Sequence, residues 1–148
     1  MDLARFCSSA RVMIVAGKGG VGKTTVTATI ATAAADAGLS VLIVEVEGKS
    51  GLAACFGRPP LGYEETELAP GVRGRTLTPD EALLDYLENH GLRRISKRLV
   101  RSGALEVVST AVPGMKDILV LGKVKALEHE RAADLILAEP AAPAVDVR

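Results

Sequence analysis

Nine consecutive residues near the N-terminus constrain this chain more than any other segment. Residues 17–25 read Gly-Lys-Gly-Gly-Val-Gly-Lys-Thr-Thr and match the pattern G-x-x-x-x-G-K-[ST] without a gap. The apolar, β-type run Val12–Ala16 precedes this stretch, and a helix-prone, Ala- and Thr-rich stretch of residues 23–37 follows it. Strand, glycine-rich loop and helix in this order predict a phosphate-binding loop, whereas a glycine-rich turn without a ligand is the alternative.

The residue types of the loop suit the phosphate groups of a nucleotide. Glycines carry no Cβ, so the backbone can bend, approach the ligand closely and point successive N–H groups at it. The helix that follows adds the positive end of its dipole. The predicted nucleotide-binding residues are Gly17, Lys18, Gly19, Gly20, Val21, Gly22, Lys23, Thr24 and Thr25.

Three side chains of the loop have separate expected roles. Lys23 is expected to reach the β- and γ-phosphates, and Thr24 to place its hydroxyl on Mg²⁺. Thr25 is expected to support an α-phosphate oxygen. The predicted cofactors are therefore ATP or another nucleoside triphosphate together with Mg²⁺.

Composition limits the size of the fold and the kinds of partner that the chain can bind. Its 148 residues, 48% of them hydrophobic, allow one domain with a buried core. A formal net charge of zero and 3% aromatic residues argue against a broad nucleic-acid surface, so nucleic acid is not an expected partner. Cys7 and Cys55 show no zinc-binding spacing and are expected to be reduced, semi-buried residues of a cytoplasmic protein. No run approaches the roughly 20 apolar residues of a membrane span.

Four further stretches predict an α/β fold with a mainly parallel sheet. The apolar run Val41–Glu47 predicts a buried strand that completes a right-handed β-α-β unit. Residues 64–76 predict a hairpin around the Pro70-Gly71 dipeptide. Residues 78–81 read Thr-Pro-Asp-Glu and predict a helix start with a capping box. Residues 134–139 predict a third core strand.

The segment 78–128 is predicted to be a helical insertion. Its first helix is expected to bury Leu83, Leu84 and Leu87, and a helix is expected over 104–111. A helix over 115–127 carries Met115, Ile118, Leu119 and Val124 at core-like spacing. Between them, the helix 92–101 has one basic stripe, which is either a solvated face or a contact for an acidic partner or nucleic acid: Arg94, Lys97, Arg98 and Arg101.

Lys18 narrows the class of phosphate-binding loop. The sequence K-G-G-x-x-G-K-[ST]-T resembles the deviant loop of the ATPases that include the arsenite-pump subunit, the tail-anchored-protein targeting factor and the partitioning ATPases. From Arg11 to Leu137 the chain resembles the arsenite-pump (anion-transporting) family, most of all the actinobacterial type, whose second strand ends in V-E-V-E-G. The stretch A-V-P-G-M-K-D-I-L-V-L-G-K at 111–123 is also similar to this branch.

The resemblance implies a three-layer P-loop NTPase fold and Mg²⁺-dependent ATP hydrolysis. It also implies a dimer around nucleotide, either a homodimer or a pair with a related subunit, and coupling to a membrane or client-protein partner. The cysteine cluster of the arsenite pump and the paired zinc cysteines of the targeting factor are absent from this sequence.

The same resemblance assigns catalytic and metal-binding roles. Lys18, Lys23 and Glu47 are the expected catalytic residues, with Lys18 acting across the dimer interface and Glu47 orienting the attacking water. Thr24, Glu47 and Glu139 are the expected metal-site residues. The alternatives are that Lys18 is a solvated charge, and that Glu47 or the upstream acid Glu45 caps a helix or pairs with Lys49.

The C-terminal residues depart from the family pattern. No glycine follows Gly122, although a switch glycine is expected soon after the strand at 134–139. We therefore expect residues 1–148 to be the N-terminal part of a single P-loop ATPase domain with an incomplete sheet, through truncation or a shifted reading frame. A remnant that binds nucleotide without turnover, and a partitioning-type ATPase acting on DNA or a membrane surface, are the alternative functions.

Overall fold

A computed structural model describes residues 3–47, 51–105, 107 and 114–140. Helices and strands alternate along the N-terminal third, and a largely helical segment separates the fourth strand from the fifth. The helices are α1 (Leu3–Cys7), α2 (Lys23–Asp36), α3 (Leu52–Cys55), α4 (Pro79–Asn89), α5 (Arg93–Ser102) and α6 (Met115–His129). The strands are β1 (Val12–Ile14), β2 (Val41–Val46), β3 (Thr66–Ala69), β4 (Val72–Leu77) and β5 (Leu135–Glu139).

The five strands form one sheet in the order β1-β5-β2-β4-β3. Strands β1, β5, β2 and β4 are parallel to their neighbours, and only β3 pairs antiparallel, with β4. The mainly parallel α/β sheet predicted from the sequence is confirmed. The hairpin predicted over 64–76 is also confirmed, since β3 and β4 meet at the Pro70-Gly71 turn.

Helices cover both faces of the sheet and give three layers. Alternate residues of a strand point to opposite faces. Ile43 and Leu137 therefore pack in the core on one face, with residues of α2 and α3. Val44 and Ala138 pack in the core on the opposite face, with residues of α4 and α6. The same alternation puts Glu45 and Glu139, the carboxyl-terminal acids of neighbouring strands, on the α2 side.

The helix that follows β4 begins as its sequence predicts. The hydroxyl of Thr78 accepts a hydrogen bond from the Glu81 N–H, and the Glu81 carboxylate accepts one from the Thr78 N–H. Pro79 occupies the first turn, where its missing N–H costs no helical hydrogen bond. This capping box fixes the point at which the chain leaves the sheet for the helical layer.

Several predictions of strand length and of burial were wrong, all at the periphery of the fold. β1 ends at Ile14 rather than Ala16, and Ile14 is 57% exposed because β1 is an edge strand with no described neighbour on its outer side. In α4 the buried residues are Pro79 and Ala82, whereas Leu83, Leu84 and Leu87 are half-buried. Ile118 of α6 is 66% exposed. The helix expected over 104–111 lies mostly outside the described residues.

Candidate nucleotide-binding site

The glycine-rich loop joins the carboxyl end of β1 to the N-terminus of α2. Gly20 and Gly22 have φ angles of +76° and +88°, in the left-handed region that side chains with a Cβ disfavour. Gly22 is the N-cap residue of α2, and no side chain caps the helix. The sequence therefore places glycine where the loop turns sharply to begin the helix.

Gly17 lies close to later residues of the loop. A Cβ on Gly17 would lie 3.1 Å from Cγ2 of Val21 and 3.6 Å from Cγ of Lys23. The Lys23 stem therefore lies over the start of the loop. Its Nζ donates a hydrogen bond of 3.3 Å to the carbonyl oxygen of Lys18 and so closes the loop from above.

The backbone donors of the loop are available to an anion. Among the hydrogen bonds between described residues, none uses the N–H of residues 18–22 as its donor. The first turn of α2 contains no acidic residue that would occupy the positive end of the helix dipole. Loop amides, helix N-terminus and Lys23 thus present positive potential to one small volume, which suits a phosphate chain.

Thr24 and Glu139 meet beside the loop. The Thr24 hydroxyl donates a hydrogen bond of 2.7 Å to Oε1 of Glu139, although the two residues are 115 positions apart. Glu139 is 2% exposed, and its second oxygen, Oε2, has no hydrogen-bond partner among the described residues. A buried carboxylate oxygen without a donor is costly unless a cation or water satisfies it.

Glu45 lies directly beside Glu139. The two residues are register partners on the neighbouring parallel strands β2 and β5, and Glu45 is 3% exposed. Thr76 of β4 donates a hydrogen bond of 3.1 Å to Oε2 of Glu45. The sequence analysis gave Glu45 only a secondary role and Thr76 none. The reason is that the pairing of β2 with β4 and β5 cannot be predicted from neighbouring residues in the sequence.

Glu47 lies one residue beyond the end of β2 and is half-buried. Its φ angle is +65°, which is uncommon for a residue with a side chain. The N–H of Glu47 donates a hydrogen bond of 3.0 Å to the carbonyl oxygen of Leu77, so the backbone is held in this conformation by the end of β4. Strained backbone of this kind is common where a side chain must be aimed at a ligand.

The remaining predicted residues are placed as follows. The side chain of Lys18 is exposed at the top of the loop, and Val21 and Thr25 are exposed as well. Lys49, the alternative partner of Glu47, lies outside the described residues. The described residues contain no group of three or more His, Cys, Asp or Glu side chains placed to hold a metal ion. None of their helices has the length and apolar character needed to cross a bilayer.

A second polar cluster, which sequence reasoning missed, lies on the opposite face of the sheet. The Tyr63 hydroxyl donates to Oδ2 of Asp85, and Nζ of Lys123 lies 2.6 Å from the same oxygen. The Arg75 guanidinium lies 4.3 Å from the centroid of the Tyr63 ring. This cluster links β4 and the loop before β3 to helices α4 and α6.

Burial and charge act on the pKa values of this cluster. Burial, followed by the hydrogen bond to Asp85, raises the pKa of the Tyr63 hydroxyl above its usual range. Burial also acts to raise the pKa of Asp85, but the hydrogen bonds from Lys123 and Tyr63 outweigh it and lower that pKa. Asp85 is therefore ionised at neutral pH and bridges a phenol and an ammonium group.

Comparison with known proteins points to one family. The family model described as anion-transporting ATPase matches residues 10–144. The chain is 40% identical over 124 residues to the ATPase BagA of Mycobacterium tuberculosis, a match that covers 80% of this chain and 36% of that protein. It is 29% identical over 138 residues to the ATPase ASNA1 homolog 2 of Paramecium tetraurelia, covering 90% of this chain and 41% of that protein. The chain thus spans well under half the length of these relatives.

Proposed function

Because the chain belongs to the anion-transporting ATPase family, we propose that it binds ATP with Mg²⁺ at the loop 17–25 and hydrolyses the terminal phosphoanhydride. The contact between Thr24 and Glu139 carries this proposal. It brings a hydroxyl from the first turn of α2 and a buried carboxylate from the end of β5 to the side of the loop on which the phosphates would lie. Ligands of open α/β sheets bind at this carboxyl end of the strands.

The residues present fit a magnesium ion. Mg²⁺ prefers oxygen ligands, keeps several waters and is commonly held by one or two protein groups together with the substrate phosphates. The Thr24 hydroxyl and the Glu139 carboxylate would hold the ion, and the partnerless Oε2 of Glu139 is a suitable acceptor for one of its waters. When bound, the ion would neutralise charge that develops on the phosphates. The sequence-based assignment of Glu47 to the metal site remains part of the proposal.

Three further side chains have proposed roles. When nucleotide binds, the Lys23 ammonium group gives up its hydrogen bond to the Lys18 carbonyl and donates to the β- and γ-phosphates instead. The carbonyl and the phosphates are alternative acceptors at the same loop. Glu47 orients the attacking water from the strained turn after β2. The exposed Lys18 contributes its charge to the nucleotide bound by a second subunit, either another copy or a related ATPase. Nucleotide state would then be coupled to dimerisation and, through it, to a membrane or client-protein partner.

Nucleotide binding without turnover is the second candidate function. It is supported by residues 140–148, which contain no glycine at the positions that directly follow β5. The loop, α2 and Glu139 would suffice for binding, whereas hydrolysis also needs a group that senses the γ-phosphate.

Titration of the purified 148-residue chain with ATP and Mg²⁺, following binding and phosphate release together, tests both functions. We expect saturable binding, and the Lys23→Ala variant should lose at least about 100-fold in affinity, since a charged hydrogen bond to phosphate is removed. Lys116→Ala, which removes an exposed lysine of α6, is the matched control and should bind as the native chain does.

Phosphate release with binding would support the ATPase, and binding without release would support the second candidate. Unchanged affinity in Lys23→Ala would remove the loop as the site. An absence of binding in the native chain would overturn both functions for this polypeptide.

A further inference from the structure

A groove of about 800 Å³ runs between helices α4 and α6, on the side of the sheet opposite α2. Its lining is mostly apolar and includes Leu83 of α4 and Met115, Ile118 and Leu119 of α6. None of the residues proposed for the nucleotide site lines it. Its volume lies in the range of pockets that take small organic molecules.

The groove leaves apolar side chains and a helix backbone uncovered. Tyr86 of α4 is 53% exposed and Ile118 of α6 is 66% exposed, although both line the groove. Gly122 lies in the middle of α6, and a Cβ at this position would lie more than 4 Å from every neighbouring element. Glycine destabilises a helix interior relative to alanine, and the packing of the described residues does not require it here. The glycine therefore leaves room for an occupant directly above the backbone of α6.

One charged side chain that lines the groove has hydrogen-bonding capacity to spare. The side chain of Lys123 is only 16% exposed, and its Nζ lies 2.6 Å from Oδ2 of Asp85. Within the part of the chain that the structure describes, Asp85 is the one partner of this ammonium group. An ammonium group has three N–H donors, so two remain for a ligand.

The charges around Lys123 are not balanced. The Arg75 guanidinium lies on the ring of Tyr63, whose hydroxyl donates to Asp85. Arg75 is 7% exposed, its Nε has no hydrogen-bond partner, and it takes part in none of the ion pairs between described residues. Two positive charges thus lie near the single negative charge of Asp85, which is the one acidic residue that lines the groove. This surplus favours a ligand that carries a negative charge.

We propose that the groove binds a small organic acid that has a flexible apolar chain and a single carboxylate, such as a medium-chain fatty acid. The carboxylate would accept hydrogen bonds from the two remaining donors of Lys123, and the chain would lie over Gly122 toward Leu119 and Met115. From Lys123 to Met115 the helix rises about 12 Å, which is close to the length of an extended ten-carbon acid. A folded protein surface would cover the exposed rim of the groove without reaching the largely buried ammonium group. The inference is independent of the proposed ATPase activity.

Titration calorimetry of the full chain with three ten-carbon probes tests the class of ligand. We expect one decanoate to bind per chain, below the concentration at which it forms micelles. The neutral 1-decanol should bind at least about tenfold more weakly, because a charge-assisted hydrogen bond is lost. The cation decyltrimethylammonium should bind more weakly still. Absence of decanoate binding overturns the proposal, and equal affinities for the three probes overturn the assignment of an acid.

Filling the groove tests its location. Gly122→Leu places a side chain in the open space above α6 and should weaken decanoate binding at least about tenfold, while leucine favours the helix more than glycine does. Lys116→Leu adds the same side chain at an exposed position of α6 outside the groove, and this control should bind like the native chain. Native affinity in Gly122→Leu would exclude the groove as the site.

A further pair of measurements tests the role of the ammonium group. Combining Asp85→Asn with Lys123→Gln removes both charges of the ion pair together, so that neither remains buried alone. This variant should bind decanoate only as tightly as 1-decanol, with its affinity for 1-decanol unchanged. In methyl NMR spectra of the native chain, decanoate should shift the Met115 signal and leave that of Met13, on the opposite face of the sheet, in place. Undiminished decanoate binding in the double variant, or a shift at Met13 without one at Met115, would contradict the proposal.

Discussion

Three glutamates near the carboxyl ends of β2 and β5 differ in burial and in partners, although all three have the same side chain. Glu139 contacts Thr24 of the nucleotide loop, and Glu45 contacts Thr76 of β4. Glu47 lies beyond the strand, in a turn with positive φ. From these environments we propose different roles: Glu139 for the metal site, Glu45 for a supporting position and Glu47 for the reacting water.

Replacing Glu139 by glutamine tests the metal site. Glu139→Gln keeps an oxygen that accepts from Thr24 but removes the charge, so we expect the affinity for Mg²⁺ in the presence of ATP to fall by about 10- to 100-fold. Titration calorimetry of Mg²⁺ into the ATP-bound chain measures this effect. Glu45→Gln, at the register position beside it, is the control and should change that affinity by less than about threefold. Equal losses in the two variants would assign the site to both carboxylates.

Replacing Glu47 by glutamine tests the position of the water. Glu47→Gln should leave ATP affinity nearly unchanged and slow single-turnover hydrolysis by about 100-fold or more, since a group that positions or deprotonates the nucleophile acts mainly in the transition state. Rapid-quench measurement of phosphate release gives the rate, and the exposed Glu67→Gln serves as control. A full-rate Glu47→Gln enzyme would exclude Glu47 from the mechanism.

Among the elements, the helical layer is held to the sheet by apolar contacts and by one polar cluster. Val124 and Leu127 of α6 pack in the same core as Leu77 at the end of β4. Around this core, Asp85 of α4 accepts from Tyr63 and pairs with Lys123 of α6. The cluster thus connects the loop before β3 with both long helices of the layer.

Removal of the Asp85 charge should loosen this layer. Asp85→Asn is expected to lower the free energy of unfolding by about 1–2 kcal/mol at pH 7, because Lys123 loses its partner and the site is only partly shielded from solvent. The pKa of Asp85 is lowered in the folded chain. Its stabilisation is therefore fully present above the ordinary aspartate pKa of about 4 and is lost as the pH falls through the lowered value.

Urea unfolding of the native chain and of Asp85→Asn over a range of pH measures this difference. The two stabilities should converge as the pH falls below about 4. Asp36→Asn, at the exposed end of α2, is the control and should change the stability by no more than a few tenths of a kcal/mol. A difference between the native chain and Asp85→Asn that persists at low pH would show that the variant acts through packing rather than charge.

On the scale of the whole molecule, the sheet ends in an edge strand on each side. Among the described residues, β3 pairs only with β4 and β1 pairs only with β5. An open edge strand with an exposed apolar residue such as Ile14 readily pairs with another strand. The loop 17–25 follows this strand, so the surroundings of β1 affect the site directly.

The prediction at the scale of the whole molecule concerns Lys18. Lys18→Ala should bind ATP within about threefold of the native affinity, because its side chain is exposed and makes no described contact with its own loop. Turnover should fall by about 10³-fold or more, since a charge supplied from another subunit would be lost. Light scattering with ATP present should show a dimer for the native chain and for Lys18→Arg, and a monomer for Lys18→Ala. A Lys18→Ala chain that dimerises and turns over normally would identify Lys18 as a solvated charge.

The sequence alone predicted features that depend on a few adjacent residues. These features are the phosphate loop, the capping box at Thr78 and the turn at Gly71. Each depends on the backbone preferences of about three to nine consecutive residues. The structure bears out the turn and the capping box, and the loop has the open amides and left-handed glycines that its sequence implies. Strand and helix types were predictable for the same reason, since side-chain periodicity reports locally on burial.

Only the tertiary structure decided which distant residues meet. The strand order places Glu139 in contact with Thr24, and it places Glu45, not Glu47, beside Glu139. The packing of the helices on the sheet brings Tyr63, Asp85 and Lys123 together. It also left Ile14 and Ile118 exposed, although both lie in apolar patterns typical of a core. The physical reason is that a local pattern shows that a face is apolar, whereas its burial and its neighbours depend on which element packs against it.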